Sequence, residues 1–107
     1  MSNLEEPFHQ AMLDGYHQLV RLGYRATYFL RMVQELGGVQ AARQLTNQEG
    51  SSEGFTRMWE MGRLDLSAEA LVPKPEYRDL FTSEERQRAR QNLDDLGYRA
   101  PWDTEAA

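Results

Sequence analysis

The sequence predicts an all-α fold, a compact bundle of five to seven short helices. Apolar residues recur at three- to four-residue spacing in one segment after another, and no stretch shows the sustained alternation of a half-buried strand. Glycines and prolines fall at the ends of these periodic segments, where helices stop and start. At 107 residues with 10% aromatics, the chain has the length for one domain and the bulky side chains for one core.

The first helix is expected from Glu6-Pro7, because proline lacks an N–H that the first helical position does not need. Asn3 and Glu6 offer a capping box for an earlier start. Phe8, Met12, Tyr16, Leu19 and Val20 form its apolar stripe, and Gly23 ends it. A second helix covers Ala26 to Leu36, with Phe29, Leu30, Val33 and Leu36 facing inward. Gly37-Gly38 stops it, since glycine readily adopts the left-handed C-cap conformation. A short third helix runs from Val39 to Leu45, and residues 46–52 form a surface loop rich in turn-forming residues.

Ser52 is the expected N-cap of a fourth helix, Glu53 to Met61, which brings in Phe55, Met58 and Trp59. Ser67 caps a short helix that ends at Pro73, and Pro75 opens one further turn carrying Tyr77, Leu80 and Phe81. The last helix has the strongest start signal, the capping box Thr82-Ser83-Glu84-Glu85, and Gly97 closes it. The expected core is Phe8, Met12, Leu19, Phe29, Leu30, Val33, Leu36, Ala42, Leu45, Phe55, Trp59, Leu71 and Leu93. Residues 1–98 then form a single helical domain, and residues 99–107 a loosely ordered tail in which Pro101-Trp102 could dock.

Composition removes several classes of function. There is no cysteine, so disulfide frameworks and thiolate zinc sites are excluded. No apolar run approaches the roughly 18 to 20 residues of a membrane span. The N-terminus is acidic and lacks a basic region followed by an apolar one, so no secretion signal is expected and the cytoplasm is the default. The net charge of −5 is spread along the chain, with no strongly basic third to neutralise phosphates. Direct nucleic-acid binding is therefore not expected.

Catalytic chemistry finds no foothold. His9 and His17 lie eight residues apart on one helix, so their directions differ by roughly 80° and they stand about 12 Å apart. One metal ion cannot be held that way. The pairs Glu5-Glu6, Glu84-Glu85 and Asp94-Asp95 are adjacent in sequence and diverge around a helix. No nucleophile elbow and no phosphate-binding glycine loop is present, and the single lysine, Lys74, lies between two prolines. The expectation is a protein that is not an enzyme and has no cofactor and no metal.

Binding is the remaining class. Arg57, Arg63, Arg86, Arg90, Tyr98 and Trp102 are the candidate partner contacts, since arginine, tyrosine and tryptophan are enriched where interfaces concentrate their energy. Residues 37–64 have the rhythm of a helix-turn-helix. However, the expected second helix offers one arginine, Arg57, against Glu53 and Glu60.

Two resemblances add to this. The run from Gly23-Tyr24-Arg25-Ala26-Thr27 to Met32, the step Gly37-Gly38-Val39-Gln40-Ala41-Ala42 and the long run Ser52 to Val72 resemble a small all-helical bacterial family, over roughly residues 4–98. So do Pro75-Glu76-Tyr77-Arg78 and Leu80-Phe81-Thr82. That family implies no active site, so no functional residue is carried over. In profile rather than motif, a short, acidic, cysteine-free helical protein is similar to the anti-CRISPR proteins of Pseudomonas phages. Those directed at type I systems commonly bind the surveillance complex or its helicase-nuclease. The expected function is a non-enzymatic protein-binding module, an inhibitor of such a machine. The alternative is a DNA-associated accessory domain using the helix-turn-helix-like middle segment. Monomer and homodimer both remain open.

Overall fold

The computed structural model describes residues 4–47 and 53–103. Among these there are six α-helices, two 3-10 turns and no strand. The helices are α1 (Glu5–Arg21), α2 (Thr27–Leu36), α3 (Gly38–Asn47), α4 (Glu53–Glu60), α5 (Ala68–Leu71) and α6 (Ser83–Asp94). The 3-10 turns are Leu64–Leu66 and Pro75–Leu80. The all-α bundle is as expected, and four connections turn through glycines of positive φ at positions 23, 37, 62 and 97.

The hub is α3, which packs against α1, α2, α5 and α6. Its buried side is made of small residues, Gly38, Val39, Ala41, Ala42 and Thr46, so four neighbours can approach one short helix. The closest approach is at Gly38, where an added Cβ would lie 2.6 Å from the His9 Cα. Gly37 and Gly38 are therefore glycines for different reasons. Gly37 turns the backbone at φ 83°, and Gly38 leaves room for α1. The Gly38 N–H, which begins α3 with no helical partner, donates to His9 Nδ1 at 2.9 Å. His9 caps a neighbouring helix.

Along α1, Phe8, Met12, Gly15 and Leu19 are buried at four-, three- and four-residue steps. Phe8 is fully buried, and its ring meets Tyr77 and Phe81 edge to face at 5.0 and 5.1 Å. The Thr82 capping box is complete. The Glu85 N–H donates to Thr82 Oγ1 at 3.1 Å, and the Thr82 N–H donates to Glu85 Oε1 at 2.8 Å. Glu85 also accepts from Arg43 Nε at 3.0 Å, while Arg43 Nη2 donates to the Leu80 carbonyl at 2.8 Å. One arginine thus ties α3 to the start of α6.

Four expectations need correction. Trp59 is 49% exposed, not core, because α4 buries only Phe55 and Met58 and the next position turns away from the turn Leu64–Leu66 beneath it. Leu36 is 40% exposed, since the chain breaks at Gly37 before α2 can press its last residue inward. Leu30 and Leu45 are only half-buried, at the edges of their faces. The tail is not loose over residues 99–103. Ala100 is buried, and Trp102 Nε1 donates to the Ala70 carbonyl at 2.6 Å. The Asp103 carboxylate, 2% exposed, meets Arg90 Nε at 2.6 Å. Residues 104–107, the Asn3 cap alternative and the Ser52 cap lie outside the described residues. Of the expected loop 46–52, Thr46 and Asn47 complete the last turn of α3.

Candidate binding cleft

The six candidate contacts do not gather into one site. Arg86 is buried and has no free surface to offer. Its Nη1 donates to the carbonyls of Phe81 and Arg78 at 2.7 and 3.2 Å, so it closes the junction before α6. Arg90 is held by Asp103. Trp102 is half-buried, with Lys74 Nζ 5.0 Å from its ring centre. These three residues hold the molecule together.

Arg63 and Tyr98 do share a neighbourhood. Arg63 makes a paired contact with Asp65, Nε and Nη2 each 3.0 Å from a carboxylate oxygen. The Asp65 hydrogen bond raises the Arg63 pKa further above its ordinary value. Tyr98 is likewise raised, first by burial and then by the Asp65 charge. Arg57 is elsewhere, on the outer side of α4, its guanidinium 5.5 Å from the Tyr24 ring centre. The outward groups of α4 are Glu53, Arg57, Trp59 and Glu60, two acids and one base.

The residues that do converge were not among those six. Between the start of α2 and α4 lies a cleft of about 520 Å³. Gly23, at φ 94°, turns the chain so that Tyr24, Arg25 and Ala26 run along one wall into Tyr28 and Phe29 of α2. Gly54, Phe55 and Met58 of α4 make the other wall, with Leu45 of α3 alongside. Ala68 and Glu69 of α5 complete the lining. The two walls meet closely where Tyr24 Oη would be 3.4 Å from a Cβ on Gly54.

Glu69 is the unusual member. It is 5% exposed, and no side-chain hydrogen bond or ion pair engages its carboxyl among the described residues. Removal from water pushes its pKa up to about 7, and only its own backbone N–H pulls the other way. With its pKa raised to about 7, this carboxyl can donate a hydrogen bond in its protonated form or carry a charge in its ionised one. It is buried because α5 is a single turn held by Ser67. The Ser67 Oγ accepts from the Ala70 N–H at 3.1 Å and donates to the Leu64 carbonyl at 2.6 Å, and all four residues of the turn are buried.

A signal for Glu69 did exist in the sequence. It is the one charged residue in Leu66-Ser67-Ala68-Glu69-Ala70-Leu71-Val72, an otherwise small and apolar stretch. A charge isolated that way is either at the surface of a short turn or buried with a purpose, and only the packing distinguishes the two. Among the described residues, no group of three or more histidine, aspartate or glutamate side chains could hold a metal ion. Nor is any described helix long and apolar enough to cross a membrane. No protein-family model matches the chain, and no curated protein or solved structure matches it.

Proposed function

We propose that this chain is a non-enzymatic protein-binding module that receives a projecting side chain of its partner in the cleft between α2 and α4. The observation that supports this is the cleft itself, concave, mainly apolar in its lining, with a single buried carboxyl. Recognition sites commonly combine an apolar recess with a few placed polar groups. Tyr28, on its wall, is 60% exposed, and tyrosine is among the side chains that most often anchor interfaces.

The partner in this proposal is a component of a bacterial nucleic-acid-processing machine in the cytoplasm, such as a type I CRISPR surveillance complex or its helicase-nuclease, which the chain inhibits. That narrower identity is supported by the sequence profile alone, small, acidic and cysteine-free. A net charge of −5 favours encounter with a basic protein surface and acts on the association rate more than on affinity. The test is a titration of the parent chain and Tyr28→Ala against the purified, nuclease-treated complex and the helicase-nuclease. Micromolar binding that weakens about tenfold in Tyr28→Ala is expected. Absence of binding to both removes these partners, and equal binding by the two chains removes the cleft as the surface.

A further inference from the structure

We propose that the cleft between α2 and α4 binds a primary ammonium group carried on an aliphatic stem, with Glu69 as its counter-ion and Tyr28, Phe29 and Phe55 around the stem. This names the ligand chemistry for the same cleft, and it holds whether the ammonium belongs to a partner's lysine or to a free amine.

Three features point to this class. The volume, about 520 Å³, admits an extended alkyl chain. Four aromatic residues line it; Tyr24 already carries the Arg57 guanidinium over its ring, and Tyr28, Phe29 and Phe55 are left to cover an apolar stem and attract its cation. Among the described residues the buried carboxyl has no cationic partner, so an incoming ammonium supplies the charge that its position lacks. A carboxylate ligand would meet Glu69 as a like charge, and a purely apolar ligand would leave the carboxyl unpartnered.

The other titratable groups on the cleft are Tyr24 and Arg25 from the link before α2, Tyr28 from α2 and Glu53 from α4, while α3 contributes only Leu45. Arg25 is exposed at the edge and opposes a cation there, and Glu53 favours one. None of the four contributes to the position of the Glu69 titration, which burial sets. An ammonium stays protonated to about pH 10, so the pH dependence of binding follows Glu69. Affinity rises as Glu69 ionises.

The experiment is a backbone amide NMR titration of the full chain with n-pentylammonium chloride, with 1-pentanol as the neutral comparison, at about pH 5.5 and about pH 8.5. Shifts confined to the cleft residues, with pentylammonium binding about tenfold or more tighter at the higher pH and pentanol unchanged, are expected. Glu69→Gln should abolish that preference while keeping the dispersed spectrum of the parent. Equal affinity for the amine and the alcohol, pH-independent amine binding, or shifts away from the cleft would each overturn the assignment without recourse to the variant. A second arm uses Nα-acetyl-lysine N-methylamide. If it binds at the cleft as pentylammonium does, the ligand is a lysine side chain of a protein. If only the free amine binds, the cation site stands and the protein-binding role of this cleft falls.

Discussion

The contact between α1 and α3 and the space between α2 and α4 end in opposite states, one closed and one open. At the first, Gly38 brings the backbones so close that His9 Cα would be 2.6 Å from an added Cβ, and the exposed N–H of α3 finds His9 Nδ1. Nearby Phe8 is sealed by two aromatic rings. At the second, Tyr24 comes within ordinary contact distance of Gly54, and a cleft remains whose lining includes Glu69, a buried carboxyl with no cationic partner among the described residues. A domain of this size gains its stability where packing is closed and polar groups are paired. An open cleft with a buried carboxyl that lacks a counter-ion gives stability away, which is the usual mark of a surface shaped for something else.

The comparison breaks most visibly at Phe8. Phe8→Ala should destabilise the chain by about 4 kcal/mol in urea unfolding, because the ring is fully buried and its neighbours cannot collapse into the space. A loss below about 1 kcal/mol would mean the α1 contact is not closed as described.

Glu69 should behave in the opposite sense. Its folded pKa of about 7 lies above the ordinary 4.5, so the folded chain keeps a proton that the unfolded chain releases between those values. Stability therefore falls as pH rises through that window and stays low above it. Glu69→Gln should remove this slope, making the chain more stable than the parent by up to about 3 kcal/mol near pH 8 and by close to nothing near pH 4. Urea unfolding across that range measures it, and a variant less stable at every pH would show that the carboxyl is compensated after all.

Gly38→Ala should destabilise by about 2 kcal/mol, the common scale for forcing a methyl against backbone that cannot withdraw. Thermal unfolding at neutral pH would show it, and a neutral result would place α1 and α3 farther apart. The smallest effect is expected at Trp59. Removing a side chain 49% exposed should change stability by no more than about 0.5 kcal/mol, whereas a large loss would restore it to the core.

Much of the local structure was readable from the sequence. Thr82 and Glu85 are three residues apart and make a complete capping box; Ser67 caps α5; and the positive-φ glycines Gly23, Gly37 and Gly97 fall at expected stops. Of the expected α1 stripe, Phe8, Met12 and Leu19 are buried because the helix is long enough for periodicity to define a face, whereas Tyr16 is half-buried and Val20, one position round from Leu19, is exposed. On α4, eight residues long, periodicity did not suffice, since Phe55, Met58 and Trp59 all fit an apolar stripe and only the first two are buried. The candidate contacts failed for a related reason. Arg86 and Arg90 share a face of α6, but nothing in their spacing says that this face turns toward the Phe81 carbonyl and Asp103.

Helix boundaries were legible in the residues alone, because caps, glycine stops and backbone hydrogen bonds join residues within five positions of each other. The tertiary structure alone decided which side chains are hidden. His9 reaches Gly38 across 29 positions, Trp102 reaches Ala70 across 32, and Asn92 reaches the Thr46 carbonyl across 46. The burial of Glu69 belongs with these, since it depends on α2, α3, α4 and α5 meeting at one place, and the energy of a carboxyl depends on how much water that meeting removes.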